Sequence, residues 1–234
     1  MRWHASTSRW YNDTDTEAIE NATLFASLLM LDYGWTFEAC CGVMGNISNE
    51  GMWNPWSWQA NVSGGPLANA LTKAGARSDT TRIHGYGLIG WTPAKKYQFS
   101  DGGYFNYGQE NYWGYGPLWS DEAGRETDGY AQTKLIGEAF ARSDGNIWIQ
   151  RKPCTQSQFK VLTDVEDAAY YWLWNAEYPA HITQAEPVRK ADAVAWYNRL
   201  GGPNFQPVNP KGEDGGIINL LVLLKRGVDN TYGY

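Results

Sequence analysis

The sequence is short of cysteine and of long apolar runs, and each shortage excludes a class of protein. The 234-residue chain has 3 cysteines, too few for a disulfide framework, and adjacent Cys40 and Cys41 lack metal-ligand spacing. The longest aliphatic run, Ile217 to Leu224, is too short to span a membrane. The N-terminal segment MRWHASTSRWYNDTDTE is polar and lacks the apolar stretch of a secretory signal. We therefore expect no membrane partner, no metal and no cofactor.

Positive charge is also scarce. The chain has 19 Lys and Arg against 25 Asp and Glu, a net charge of −6, and no basic run. Nucleic-acid binding depends on clustered Lys and Arg, so we expect no nucleic-acid partner. Charged residues make up 19% and hydrophobic residues 43%, which is typical of a globular chain long enough to bury a substantial core.

Aromatic residues are abundant instead. They make up 15% of the chain, with 13 Trp and 15 Tyr, and many lie in loop-like sequence rich in Gly, Asn and Ser. Residues 99–120, which include Tyr104, have an aromatic at nearly every second or third position. A loop of this length in a compact domain is usually functional, and flat aromatic faces suit sugar rings. The alternative is a set of loops packed on their own aromatics.

The segment from Thr36 to Glu50 has the pattern of a buried helix. Its apolar residues recur at three- and four-residue steps: Phe37, Cys40, Met44 and Ile47. Thr36 is suited to cap its start, and Gly51 can adopt the left-handed conformation that ends a helix. Glu50 then lies on the last turn, on the same face as the apolar residues.

A carboxyl group at that position has two interpretations. Burial and the negative end of the helix dipole both favour a Glu50 that stays protonated near neutral pH, as a general acid must be. The alternative is a surface glutamate at a frayed helix end. The spacing alone leaves both open.

The rest of the chain predicts a mostly helical α+β fold with a small β or irregular insertion after the Glu50 helix. Capping residues and periodicity predict further helices at 14–33, 130–142, 163–178 and 187–200. Between Gly51 and Thr92 the periodicity is lost, apart from a short helix at 67–73 and a glycine-punctuated extended segment from His84 to Trp91. The predicted domains are an N-terminal arm (1–13), a folded domain (14–203) and a C-terminal tail or linker (204–234).

Four motifs in order resemble the phage tail lysozyme family of the lysozyme-like superfamily. They are GNISNEGMWNP (45–55), GYGLIGWT (85–92), EDAAYYWLWNAEYP (166–179) and the segment from Arg189 to Ala193. The resemblance covers roughly residues 14–200. It implies a lysozyme-like fold and cleavage of the β-1,4 bond between MurNAc and GlcNAc in peptidoglycan, with Glu50 as the catalytic acid. It also implies a virion enzyme at the phage tail tip, with glycan strands and other tail proteins as partners.

The chain departs from the pattern at three glycines. Gly51 follows the glutamate where the family often has Ser, and Gly90 replaces an expected Gln. Gly85 stands where hen-type lysozymes carry their second carboxylate. Without that carboxylate, a hydrolase needs another base to activate the attacking water. The predicted candidates are Asp79 and Asp101, both in the inserted loops.

Aromatic and imidazole side chains near Glu50 are the predicted substrate-binding residues. They are Trp53, Trp56, His84, Tyr86, Trp91 and Tyr104. Glu177 is interpreted as an ion-pair or capping partner, of Arg189 for example, rather than as a catalyst.

Alternative functions remain open from sequence. A lytic transglycosylase would need no base besides Glu50 and would yield 1,6-anhydro sugars. A sugar-binding or structural tail module would keep the fold without the reaction. A Cys41–His84 pair would make a thiol amidase or peptidase, although a cysteine on an apolar helix face is usually a core residue.

Overall fold

The computed structural model describes residues 3, 4, 6, 16–50, 53–55, 85, 87–90, 125–143 and 147–209, with the backbone alone for 125–128 and 131. Within these ranges the chain is mostly helical and contains no strand. The helices are α1 (Thr16–Tyr33), α2 (Phe37–Glu50), α3 (Arg125–Ala141), α4 (Gln156–Phe159), α5 (Val165–Trp172) and α6 (Ile182–Arg199). A π-helix (Leu173–Glu177) continues α5, and a 3₁₀ turn (Gly202–Asn204) follows α6.

Helix α2 lies at the centre of the packing, against both α5 and α6. Two glycines on α2 allow this close approach. A Cβ on Gly42 would lie 2.5 Å from the Cβ of Ala168 on α5, and one on Gly45 would lie 2.4 Å from the carbonyl oxygen of Arg189 on α6. Only a residue without a side chain fits such backbone contacts.

A second layer forms where α1 packs on α3. Between this layer and α5, large rings fill the core: Trp35, Phe140, Trp148, Phe159 and Trp172. The ring centroids of Trp35 and Phe140 are 4.8 Å apart, and those of Phe140 and Trp148 are 5.2 Å apart in an edge-to-face arrangement. Such pairs bury large apolar areas and join the two layers.

The end of α1 and the start of α2 confirm the sequence prediction, whereas the predicted start of the first helix at Thr14 lies outside the described residues. Helix α1 ends at Tyr33, and Gly34 follows with a φ of +67°. Thr36 caps α2, since its Oγ1 accepts a hydrogen bond from the backbone N–H of Ala39 at 3.2 Å. The predicted inward face of α3 is likewise buried: Leu135, Ile136, Ala139 and Phe140.

Two predicted helix starts in the second half were wrong. The N-cap of α5 is Asp164, whose side chain accepts from the N–H of Asp167, and not Thr163. Helix α6 begins at Ile182, so Pro187 lies inside it rather than at its first position. At this sixth position a residue with an N–H would donate to the carbonyl of Thr183, so the proline leaves α6 one intrahelical hydrogen bond short.

The small β insertion was not found among the described residues. Gly87 to Gly90 form a turn, closed by a 3.2 Å hydrogen bond from the N–H of Gly90 to the carbonyl of Gly87, and not an extended segment. The predicted helix at 67–73 and the loop at 99–120 lie outside the described residues. None of the helices described is long and apolar enough to cross a membrane.

The packed core extends past both predicted domain boundaries at 14 and 203. Trp3, in the predicted arm, is 2% exposed and packs edge-to-face on Tyr130. After residue 203, Phe205 stacks on Phe37 with centroids 4.1 Å apart. The N–H of Val208 also donates to Ser27 Oγ at 2.9 Å. The arm and the start of the tail therefore contribute to the same core.

Gly45→Ala is expected to destabilise the fold. Alanine at an exposed helical glycine normally stabilises by about 0.5–1 kcal/mol, whereas overpacking here should cost about 1–3 kcal/mol. Urea denaturation measures the difference. Gly42→Ala is the matched variant, because it overpacks α2 against α5 instead of α6. An unchanged or increased free energy of unfolding in both would contradict the backbone contact.

Candidate active site

Glu50 is the last residue of α2, where the helical core meets the inserted segment. Its side chain is 33% exposed, so the carboxyl group is partly open to solvent. The preceding turn is rigidly held, because Ser48 Oγ accepts hydrogen bonds from the indole N–H groups of Trp196 at 2.7 Å and Trp53 at 3.3 Å. A fixed helix end thus presents a reachable carboxyl group.

The glycine turn lies directly against this carboxyl group. A Cβ on Gly90 would lie 3.2 Å from Glu50 Oε2, and Gly90 has a φ of +58° that other residues rarely adopt. Gly90 is the position at which the family motif has Gln. The structure therefore places this departure from the motif in contact with Glu50.

Gln132 on α3 fastens the inserted segment near the site. Its Oε1 accepts from the N–H of Leu88 at 2.8 Å, and its Nε2 donates to the carbonyl of Pro55 at 2.6 Å. The side chain is fully buried, so it satisfies the Leu88 N–H and the Pro55 carbonyl where water is excluded. Sequence analysis missed Gln132; a polar residue among the apolar positions of a predicted buried helix was the available signal.

Arg189 of α6 pairs with Glu50. Its Nη2 donates to Glu50 Oε1 at 2.5 Å, and the arginine side chain is only 8% exposed. One turn further along α6, Asp192 accepts from Asn49 Nδ2 at 2.6 Å. Helix α6 therefore contacts both of the last two residues of α2 through polar side chains.

Glu177 approaches the same arginine from the other side. Its Oε2 lies 3.9 Å from Arg189 Nη2, so the two residues predicted as partners are neighbours. Its Oε1 accepts from the indole N–H of Trp172 at 3.0 Å, and the side chain is 9% exposed. The π-helix ends at Glu177, and Tyr178 follows in the left-handed region with a φ of +50°. Such a π segment re-aims the side chains at its end and is common at functional sites.

The pKa of Glu177 is raised from 4.5 to about 8. Burial is the largest cause and the charge of Glu50 adds to it, while Arg189 and the hydrogen bond from Trp172 act in the opposite direction. Of the two interpretations that the spacing left open for Glu50, the described residues favour the more exposed one, since its side chain is partly open to solvent and paired with Arg189. Glu177 is the buried carboxyl group of the site.

Trp53, predicted to line the cleft, is a core residue. Its side chain is fully buried, with ring centroids 5.1 Å from Trp196 and 5.9 Å from Phe25. Its carbonyl accepts from Asn21 Nδ2 at 2.6 Å, and its φ is +58°. No face of the indole is open for a sugar ring. The remaining candidates lie outside the described residues: Trp56, Asp79, His84, Tyr86, Trp91, Asp101 and Tyr104.

Cys41 does not have the environment of a nucleophile. All three cysteines are free thiols and buried. Burial raises the pKa of the Cys41 thiol well above 9.0, with Cys40 and Glu38 adding to the shift. A reactive cysteine needs a stabilised thiolate and access, and Cys41 has neither. In the part of the chain that is described, no group of three or more His, Cys, Asp or Glu is placed to hold a metal ion.

Comparison with known proteins identifies the family of the chain. A sequence model described as phage tail lysozyme matches residues 20–200, a range that contains Glu50, Glu177 and Arg189. The chain belongs to the phage tail lysozyme family. It is also similar to Morphogenesis protein 1 of Bacillus phage B103, with 28% identity over 174 residues. That alignment covers 74% of this chain but 37% of the relative, so the chain spans well under half of that protein.

Family membership does not by itself assign roles within the site. The match spans α2, α5 and α6 and so includes every element that holds the two glutamates and the arginine. Sequence analysis of this family member found Glu50 and paired Glu177 with Arg189, but it did not place both glutamates on one guanidinium. That arrangement depends on the packing of three helices.

Trp53→Ala is expected to reduce the free energy of unfolding by about 3–5 kcal/mol, as for large buried aromatics. Trp174→Ala is the control, because Trp174 is only partly buried and its indole donates to Glu186 at 3.1 Å. Denaturant melts of both variants provide the comparison. A stable Trp53→Ala protein with weakened oligosaccharide binding would contradict the core assignment and support a substrate-binding role for Trp53.

Proposed function

We propose that this protein is a phage tail-tip peptidoglycan hydrolase that cleaves the β-1,4 bond between MurNAc and GlcNAc when the phage enters its host. The observation that carries the proposal is Glu50, a partly exposed carboxyl group on the last turn of α2 that faces the backbone of Gly90. Membership of the phage tail lysozyme family supports the substrate class.

In the proposed reaction, Glu50 gives its proton to the glycosidic oxygen as the bond breaks and an oxocarbenium-like state forms. The carboxylate that remains is then stabilised by Arg189 Nη2, which already contacts Oε1. The turn at Gly87–Gly90 has no side chain at its closest point to Glu50, which is Gly90. Asp79 or Asp101 is the proposed base for the attacking water.

The proposed setting is the virion, with the domain acting on the host wall from outside. Its partners would be the glycan strands and other tail proteins. The B103 relative is a morphogenesis protein, and this supports a place in phage assembly.

Lytic transglycosylation is the second candidate. It is favoured by the turn beside Glu50, because the sequence from Gly85 to Gly90 contains no carboxylate where hen-type lysozymes have one. In that reaction the 6-hydroxyl of the substrate attacks, and Glu50 serves first as the acid and then as the base.

Glu50→Gln is expected to fold normally and to lose wall-degrading activity by about 10²–10⁴-fold, since the amide keeps the contact with Arg189 but has no acidic proton. Turbidity loss of purified sacculi measures the activity. Glu138→Gln is the control, as Glu138 is also a helical glutamate and accepts a hydrogen bond from Tyr33 at 3.2 Å. A folded Glu50→Gln variant with most of its activity would refute the proposal.

The reaction type is tested by digestion of sacculi in ¹⁸O-water. A hydrolase incorporates the label into new reducing ends, because water is the attacking group. Mass spectra of the released muropeptides should therefore show labelled reducing sugars. Unlabelled 1,6-anhydro ends would instead assign the protein as a lytic transglycosylase.

A further inference from the structure

Among the residues that the structure describes, two carboxyl groups of the site share one guanidinium. Glu50 comes from the end of α2, Glu177 from the end of the π-helix and Arg189 from the first half of α6. Arg189 Nη2 lies 2.5 Å from Glu50 Oε1 and 3.9 Å from Glu177 Oε2. Arg189 and Glu177 are nearly fully buried, whereas Glu50 is partly exposed.

This balance limits how many protons the cluster can hold. With both glutamates ionised, the cluster would carry a net negative charge away from solvent, which is costly. With both protonated, the buried Arg189 would have no counter-ion here, which is also costly. One proton on two carboxyl groups gives a neutral cluster and avoids both costs.

We propose that Glu50, Arg189 and Glu177 form a proton-sharing triad, in which Glu177 holds the proton in the free site and Glu50 holds it when a glycan strand covers the site. Glu177 is thus a positioning residue for the acid, and the inference rests on the proposed function. The exchange conserves charge: the proton leaves Glu177 and arrives on Glu50, while the guanidinium moves its hydrogen bond from Glu50 to Glu177.

The exposures of the two carboxyl groups explain the direction of the exchange. In the free site, partly exposed Glu50 is the better anion because it keeps some water besides Arg189. Glu177 Oε2 is buried and accepts no hydrogen bond from the described residues, which suits a protonated group. A glycan strand would remove the water from Glu50 and so make its ionised form more costly. The proton then favours Glu50, where the reaction needs it.

Among the described residues, no further neighbouring group provides a competing charge for Glu177. Besides burial, its pKa responds to Glu50, Arg189 and the hydrogen bond from Trp172. On α6, the carboxylate of Asp192 is engaged by Asn49, and that of Glu186 is bound by Trp174 and by Lys190 at 3.2 Å.

The triad has a consequence for stability. With a pKa of about 8 in the folded protein and 4.5 as its ordinary value, Glu177 keeps its proton in the folded state where the unfolded chain has lost it. Its contribution to the free energy of unfolding is therefore complete below about pH 4.5, and it is lost as the pH rises towards about 8. Glu177→Gln should remove this part of the pH dependence.

The test combines a carboxyl titration with activity profiles of the full chain. In ¹³C NMR of glutamate-labelled protein, one carboxyl group should titrate near pH 8 and vanish in Glu177→Gln. The apparent pKa of the alkaline limb of the kcat/KM profile on sacculi should fall by at least about one pH unit in that variant. The reason is that Arg189 then stabilises the negative charge of Glu50 alone. In Arg189→Gln the apparent pKa of this limb should rise instead, since two carboxyl groups that have lost the guanidinium between them hold their last proton more tightly.

Glu186→Gln is the matched control, as Glu186 also accepts an indole hydrogen bond but does not contact Arg189 Nη2. It should leave both the titration and the profile unchanged. An alkaline limb in Glu177→Gln equal to that of the parent, or no carboxyl group titrating near pH 8 in the parent, would overturn the triad. The titration needs no activity: absence of wall cleavage by the parent protein would refute the proposed function, whereas the NMR result would still decide on the triad.

Discussion

The site depends on the close approach of α2 to its two neighbours. Gly42 and Gly45 let the backbone of α2 contact α5 and α6 without an intervening side chain. Since α6 is so near, Arg189 reaches the end of α2 and pairs with Glu50. Since α5 is equally near, the π-helix that continues it brings Glu177 to the same guanidinium. Two small residues thus determine an electrostatic arrangement one to two turns away.

The arrangement differs from that of a carboxyl group in an apolar pocket. A general acid can be kept protonated by burial alone, which was one of the two interpretations of Glu50 on its apolar helix face. Here burial acts on Glu177, and Glu50 stays in contact with both solvent and Arg189. In the proposed triad, the shared cation leaves Glu50 accessible while Glu177 holds the proton.

Polar side chains from the helices position the backbone around the site. Asn21 on α1 binds the carbonyl of Trp53, and Gln132 on α3 binds both Pro55 and Leu88. All three contacts are buried, so each satisfies a backbone group that has no access to water. The segments next to Glu50 are therefore held by the helical core, which explains why a glycine turn can lie against the carboxyl group.

The sequence by itself determined the features that depend on neighbours along the chain. The ends of α1 and α2 follow from periodicity and capping, because side chains three and four residues apart share a helix face. The position of Glu50 on the last turn follows from the same pattern, and the family follows from four motifs in order. The short α4 was missed, although Thr155 and Gln158 form a capping box that marks its start.

Only the tertiary structure decided the features that depend on packing between elements. The burial of Trp53 requires Trp196 and Phe25, which are distant in sequence. The inclusion of Pro187 within α6 overrides a local preference, since contacts with α2 and α5 stabilise the whole helix. The raised pKa of Glu177 arises from desolvation and from charges on other helices. Burial and charge proximity are properties of the folded chain, and no local pattern encodes them.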